Sequence, residues 1–384
     1  MRILLVGEYS RFHNSLKEGL EVLGHEVLLV GTGDAFKAYP VDINVSPKKI
    51  AGNWLGRRIK NLIYNLSKVD ISQLETGYIF NRHSQKFKGF DVVQLINSYS
   101  IRATIRQEKN AIQFLEQHNE KLFLSACGTD VPFAQGMLDD PYDYNLLDPY
   151  KKNPDLKRNY KGTLKYLSKP HKELFEFVRS KVLAIIPADV DYLWGLHNYP
   201  KATSLIPMPI NTDILEFKPL VVKDRIIIFH GINRMNYIKK GNNFFEEACT
   251  IIKERYPDKV ELVIAENMPY SQYIKAYDRA HILLDQATSL DQGYNAREAM
   301  AKGKVVFTGA EKEFINHYKL KETVAINAKP DTSYLVEQLE NLILNPDRIP
   351  EIGRNARAFI EREHNYIKIA QQYLDIWNSY PKQD

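Results

Sequence analysis

The chain has 384 residues, 44% of them hydrophobic and 26% charged. This excludes a disordered or collagen-like chain and exceeds what one core ordinarily serves, so two domains are expected. Two cysteines, Cys127 and Cys249, are too few and too far apart for a disulfide framework or a metal-ligand set, and they point to a reducing compartment. The net charge of +5 resides in the first half, where residues 1–210 hold 28 Lys+Arg against 22 Asp+Glu, so an anionic partner is expected there. Nucleic acid and an anionic membrane surface are the two candidates.

The N-terminal apolar run breaks off at Glu8, too short for the core of a signal peptide, and no run approaches the roughly 18 residues of a membrane span. The expected location is therefore the cytoplasm, with the inner face of a membrane as an accessory site. In chain order, 3–6 reads as a buried strand, 16–23 as a helix stopped by Gly24, and 26–30 as a second strand. Strand-length runs recur at 92–96, 122–125 and 182–186, with helical periodicity over 101–115 and 172–179. Strands alternating with helices predict a parallel sheet covered on both faces.

The rhythm breaks at Pro207-Met-Pro209-Ile-Asn-Thr-Asp213, which reads as a hinge. Alternation then restarts, with strands predicted at 225–229, 260–264, 282–285, 305–308 and 324–326. Helices are predicted at 242–255, 270–277, 295–301 and 332–344. Helices at 348–362 and 366–379 close the chain, the last expected to cross back to the first domain. The predicted architecture is α/β, with two Rossmann-like, doubly wound domains at 1–210 and 211–364. Residues 365–384 form the returning helix, and ligands of such folds bind in a cleft at the strand C-termini.

Three polar clusters follow strands of the second half. His230-Gly-Ile-Asn-Arg234 leads on to Lys239-Lys240-Gly241, an Arg fork and a Lys point charge suited to a diphosphate or to plain solvation. Glu266 opens a polar turn where a nucleobase edge could sit. The third is Asp291-Gln292-Gly293-Tyr294-Asn295, a glycine turn opening a helix that carries Glu298 one turn further on. Unpaired N–H groups at such a helix start suit a phosphate, and Glu298 is placed to accept from a ribose diol.

Arg234, Lys240-Gly241, Gly293 and Glu298-Ala-Met-Ala-Lys-Gly303-Lys-Val-Val306 together resemble the C-terminal domain of retaining glycosyltransferases of the GT-B fold, the group that includes capsule and lipopolysaccharide enzymes. The resemblance is sharp over about residues 225–310. It implies sugar transfer from a nucleotide-sugar to a glycan or lipid-linked acceptor, with retention and without a cofactor; no Asp-x-Asp metal motif is expected near the cleft. It implies that Arg234 and Lys240 hold the diphosphate and that Glu298 matches the second glutamate of the family's Glu-x7-Glu motif. The first glutamate falls at Leu290, so Asp291 or Gln292 is expected to take its part by a shift of register.

In the first half no glycine-rich loop or dinucleotide fingerprint follows the opening strand, which disfavours a nicotinamide enzyme. Arg11 and His13 there either meet an acceptor phosphate or belong to an ordinary strand-to-helix turn. Asp130, after strand 122–125, is a candidate catalytic or acceptor-binding carboxylate or a structural turn residue. The basic segment Lys48–Lys68, with Trp54 and apolar residues at helical spacing, suits either a membrane surface or the face of a sheet. Lys151–Lys172, with eight Lys/Arg, lacks a nucleic-acid-binding module and is expected to be a solvated loop near an anionic acceptor. Nucleic acid is therefore not expected as a partner. The alternatives are a nucleotide-sugar epimerase of the same fold and a catalytically silent nucleotide-sugar- or polyanion-binding protein.

Overall fold

The computed structural model describes residues 1–34, 38–51, 54, 56, 58, 60, 62–63, 70–139, 142–266, 268 and 270–383. The chain forms two compact units. One comprises 1–136, 165–209 and 366–384, the other 137–164 and 210–365.

In the first unit, six parallel strands run in the order β3-β2-β1-β4-β5-β6. They are β1 (Arg2–Val6), β2 (Glu26–Gly31), β3 (Ile43–Asn44), β4 (Val92–Leu95), β5 (Leu122–Ala126) and β6 (Ile185–Pro187). The apolar runs of β1 and β4 lie side by side, Ile3 opposite both Val27 and Val92. They are buried almost throughout, as a sheet covered on both faces requires. After β3 the chain returns to the far side of β1, so the order reverses between β1 and β4.

Helix Phe12–Val22 buries Phe12, Leu16 and Leu20, one residue per turn on one face. Gly24 ends it at φ +83, with its N–H donating to Glu21 O and that of His25 to Leu20 O. Helix Tyr366–Ser379 lies against this helix at Gly19, where a Cβ would meet the Tyr366 carbonyl at 2.3 Å, so only glycine permits the approach. Its Trp377 is fully buried and donates to Gln94 Oε1 at 3.0 Å, while the Trp377 carbonyl accepts from Lys121 Nζ at 2.9 Å.

Two expectations change here. Helical periodicity from residue 101 predicts a helix that in fact starts at Ile105, capped by Thr104. The buried carboxylate of Glu108 reaches back to accept the N–H groups of Ile101 and Ala103, and this ties 101–104 into a loop. The basic segment 151–172 is helical rather than a solvated loop, with helices Asp148–Lys152, Lys157–Leu164 and Lys169–Lys181. Tyr160 and Tyr166 are buried and anchor it. Of the Lys48–Lys68 segment, helix Lys48–Ala51 is seen, whereas residues 52, 53, 55, 57, 59, 61 and 64–68 lie outside the described residues.

In the second unit five parallel strands run in the order β11-β10-β9-β7-β8. They are β7 (Ile226–Ile232), β8 (Val260–Glu266), β9 (Ile282–Leu284), β10 (Val305–Thr308) and β11 (Ile326–Asn327). β7 starts this sheet, β8 lies on one side and β9 on the other, so the order reverses between β7 and β9. Ile228, Leu284, Phe307, Phe245, Ile252 and Leu339 are among its core residues. Residues 137–164, expected in the first domain, pack with this unit. There Tyr144 donates to Glu311 Oε1 at 2.6 Å, and the Lys239 ammonium lies 5.5 Å from the Tyr160 ring centre. Among the described residues no helix is long and apolar enough to cross a membrane.

Candidate functional site

The reversal between β7 and β9 is where a sheet of this kind leaves a crevice at its strand C-termini. Beyond β7 the chain makes a turn, Arg234–Asn236, whose first free N–H is taken by the Asn233 side chain. Gly241, at φ +69, then starts helix Asn242–Arg255. That conformation favours glycine, and a Cβ there would also crowd Ala287 at 3.1 Å. The turn is pinned to the segment after β9 by Ala287 N donating to Lys240 O at 2.9 Å and Thr288 Oγ1 to Lys239 O at 2.5 Å.

Two cations result, each facing a carboxylate. Lys240 Nζ lies 2.7 Å from Asp285 Oδ1, whose other oxygen accepts from Thr308 Oγ1 at 3.3 Å. The Arg234 guanidinium is held by both oxygens of Glu266, at 2.6 Å each, and lies over the Tyr237 ring. This forked bond holds the Glu266 carboxyl below the usual glutamate range. Glu246 lies 3.6 Å from Arg234 and accepts the Tyr237 hydroxyl proton in a hydrogen bond. Asp285 and Glu246 are absent from the sequence-based site. Asp285 carries a readable signal, a carboxylate closing the apolar run Ile282–Leu284. His230, at the end of β7, is buried and bonded through Nε2 to Asn242 Oδ1 at 2.8 Å, and burial lowers its basicity.

The third cluster divides. Gly293 caps helix Tyr294–Ala301 without a side chain, and no acidic residue occupies the first turn, so the helix start has no built-in anion. A Cβ on Gly293 would lie 3.9 Å from Asp285 Oδ2, which puts this helix start beside the Lys240–Asp285 pair. Asn295 is exposed, Tyr294 is buried, and Glu298 is half-buried on the same short helix. Glu298 also lies close enough to the buried Tyr277 for its charge to act, after burial, in raising that phenol's pKa.

Asp291 and Gln292 differ from expectation. Asp291 is 0% exposed, ion-paired at 2.9 Å with Arg297, also 0% exposed, and accepts Gln292 N at 2.7 Å. Gln292 is fully buried and donates to Gly309 O at 2.7 Å. Both side chains thus shape the turn from within in this conformation. The segment Thr308-Gly309 closes over the turn so tightly that a Cβ on Gly309 would meet Asp291 O at 2.4 Å.

The other three candidates lie in the first unit. Arg11 is ion-paired with Glu18 at 2.5 Å. His13 is fully buried with Nδ1 on Gly7 O at 2.7 Å, and burial pushes its pKa down to about 3, so in this conformation it is a neutral core residue. The Asp130 carboxylate is buried and accepts three protons in hydrogen bonds, from Ser98 N and Oγ at 2.7 and 2.5 Å and from Val131 N at 2.7 Å. Its role in this conformation is to tie the β4 and β5 loops together. Among the described residues no group of three His, Cys, Asp or Glu is placed to hold a metal ion.

Residues 234–375 match the glycosyl transferase-like family model, which begins at Arg234 and includes Lys240, Gly293 and Glu298. No curated protein matches the sequence significantly. Sucrose-phosphate synthase from Thermosynechococcus elongatus is similar in structure at 14% identity and a TM-score of 0.60, over 99% of this chain and 98% of that one. HepE from Anabaena, solved with UDP and glucose, matches at 11% identity and 0.59, over 99% and 100%. A Listeria monocytogenes protein assigned as a UDP-N-acetylglucosamine 2-epimerase matches at 12% identity and 0.52, over 97% and 94%. The chain therefore has the GT-B glycosyltransferase fold, with its glycosyl transferase-like region at residues 234–375.

Proposed function

We propose that the protein transfers a sugar from a nucleotide-sugar, of the UDP type, to a glycan or lipid-linked acceptor with retention, as in surface polysaccharide synthesis. The observation that carries this reading is the Lys240–Asp285 pair beside the helix start at Gly293, at the strand-order reversal of the second sheet. In this reading the Asp285 and Glu266 carboxylates stand where donor phosphate oxygens bind. A diphosphate exchanges with them, takes the Lys240 ammonium and the Arg234 fork, and receives the helix N–H groups. As the sugar–phosphate bond breaks, negative charge grows on the leaving diphosphate, and fixed cations and amides lower the barrier without reorganising. These groups supply the charge stabilisation without a metal or cofactor. Glu298 accepts from the ribose hydroxyls one helical turn further on, and the acceptor belongs to the first unit.

The test is calorimetric titration of UDP and a panel of UDP-sugars into wild type and Glu298→Ala. Loss of a charged hydrogen-bond acceptor is expected to weaken binding about tenfold or more. An unchanged Kd would remove Glu298 from the donor site. The likeness to the Listeria epimerase fold supports a second reading, conversion of the donor sugar alone. Incubation with each UDP-sugar in the absence of acceptor separates the two, since epimerisation changes the sugar without releasing UDP.

A further inference from the structure

The first sheet also reverses its strand order, between β1 and β4, and the loop beyond β4 carries Arg102, with Lys165 contributed by the turn before helix Lys169–Lys181. We propose that Arg102 and Lys165 bind a phosphoryl group, and that the acceptor is a phosphorylated molecule. Naming the acceptor rests on the sugar-transfer reading above, whereas the phosphoryl site itself stands on the following geometry.

Arg102 follows β4 and holds φ +65, a conformation costly for a residue with a side chain. The buried Glu108 keeps it there by accepting the N–H groups on either side, of Ile101 and Ala103. Its guanidinium lies 4.3 Å from the centre of the Tyr9 ring, in the loop after β1, and Nε donates to the Tyr9 hydroxyl at 3.3 Å. Tyr9 in turn donates to Tyr99 O at 3.1 Å, which links the two loops. The nearest carboxylate, Asp34, is 3.5 Å from Nη2, a long contact for a forked donor.

Lys165 lies against Tyr99. Its ammonium is 4.8 Å from the ring centres of both Tyr99 and Tyr166. Among the described residues this ammonium makes no hydrogen bond and no ion pair. Glu108 and Asp130 act on it only at longer range, and both are turned to backbone and Ser98 donors. Burial, with Arg102 nearby, pushes its pKa down to about 8. A half-buried ammonium on two aromatic rings, beside a guanidinium and without a contacting carboxylate, is a charge arrangement completed by a doubly negative oxyanion. The guanidinium supplies a planar fork and the ammonium a point charge, which together suit a phosphate ester better than a lone carboxylate.

The experiment uses the full chain without donor. Reductive methylation of Lys165 at about pH 8 is followed by mass spectrometry in the presence of glycerol 3-phosphate, phosphatidic acid vesicles, neutral phosphatidylcholine vesicles, or sodium chloride at matched ionic strength. Glycerol 3-phosphate or phosphatidic acid is expected to protect Lys165, while neutral vesicles and salt do not. Protection by glycerol 3-phosphate assigns a soluble phosphate ester, and protection by phosphatidic acid alone assigns a lipid headgroup. Lys240→Met should leave this protection unchanged, and Arg102→Gln should weaken the protecting ligand about tenfold. Equal labelling of Lys165 in all four conditions, or full protection in Arg102→Gln, overturns the proposal. A failure of sugar transfer with protection intact would refute the functional reading and leave the phosphoryl site standing.

Discussion

Replacing Arg297 by Met tests whether Asp291 belongs to the protein interior or to the donor. Both members of this pair are fully buried, 2.9 Å apart, in the helix and turn that carry Gly293. Removing the guanidinium leaves a buried carboxylate without its salt-bridge partner, and breaking such a pair costs about 3–5 kcal/mol. For a unit of 150–250 residues, each kcal/mol moves the midpoint by about 2–4 °C, so Arg297→Met should lower Tm by about 6–20 °C. The penalty comes from the orphaned charge more than from lost attraction. The double variant Asp291→Asn/Arg297→Met should therefore recover most of the loss, because Asn can still accept from Gln292 N. Differential scanning calorimetry on wild type, Arg297→Met, Asp291→Asn and the double variant gives both numbers. A fall of under about 1 kcal/mol in Arg297→Met, or a double variant as unstable as the sum of its singles, would refute this account.

Two further perturbations probe the first unit. Burial raises the Glu8 carboxyl to about 7, and its Oε1 has no hydrogen-bond partner among the described residues. Because the folded pKa lies above the unfolded one, the stability it contributes is complete below about pH 4.5 and is lost as pH rises through about 7. Glu8→Gln should thus match wild type near pH 4 and exceed it near pH 8 by up to ~3 kcal/mol in urea denaturation. A difference that does not change with pH would contradict the assignment. Trp377→Ala empties a fully buried site and removes the donor to Gln94, so a loss of about 3–5 kcal/mol is expected by the same denaturation, and a loss below about 1 kcal/mol would show that the last helix is dispensable.

Much of this structure is readable in the sequence where it depends on short-range pattern. Apolar runs such as Ile3–Val6 and Val305–Thr308 become buried parallel strands because a sheet covered on both faces needs unbroken apolar residues. Arg234 and Lys240 fall beyond the C-terminal end of β7, and Gly293 beyond that of β9, its neighbour in the second sheet. The pairings that decide which polar residue faces inward are less legible. Asp291 and Arg297 lie six residues apart on a turn and a helix, and nothing in their spacing announces that both are buried. His13 looks like an exposed loop residue until Phe12 and Leu16 fix the helix face, and then its ring turns onto Gly7 O. Segment 151–172 reads as a charge run because its cations outnumber its anchors, yet Tyr160 and Tyr166 suffice to dock it. Lys165 gains its character from rings contributed by Tyr99 and Tyr166, one of them distant in sequence.

The central claim is that Lys240 and the helix start at Gly293 receive the donor diphosphate. Titration calorimetry of UDP against wild type and Lys240→Met tests it most directly. Losing one charged hydrogen bond to phosphate, about 1.5–3 kcal/mol, should weaken UDP binding roughly 10- to 150-fold with the fold intact. The same Kd in both proteins, or no binding of UDP to wild type, would contradict the account.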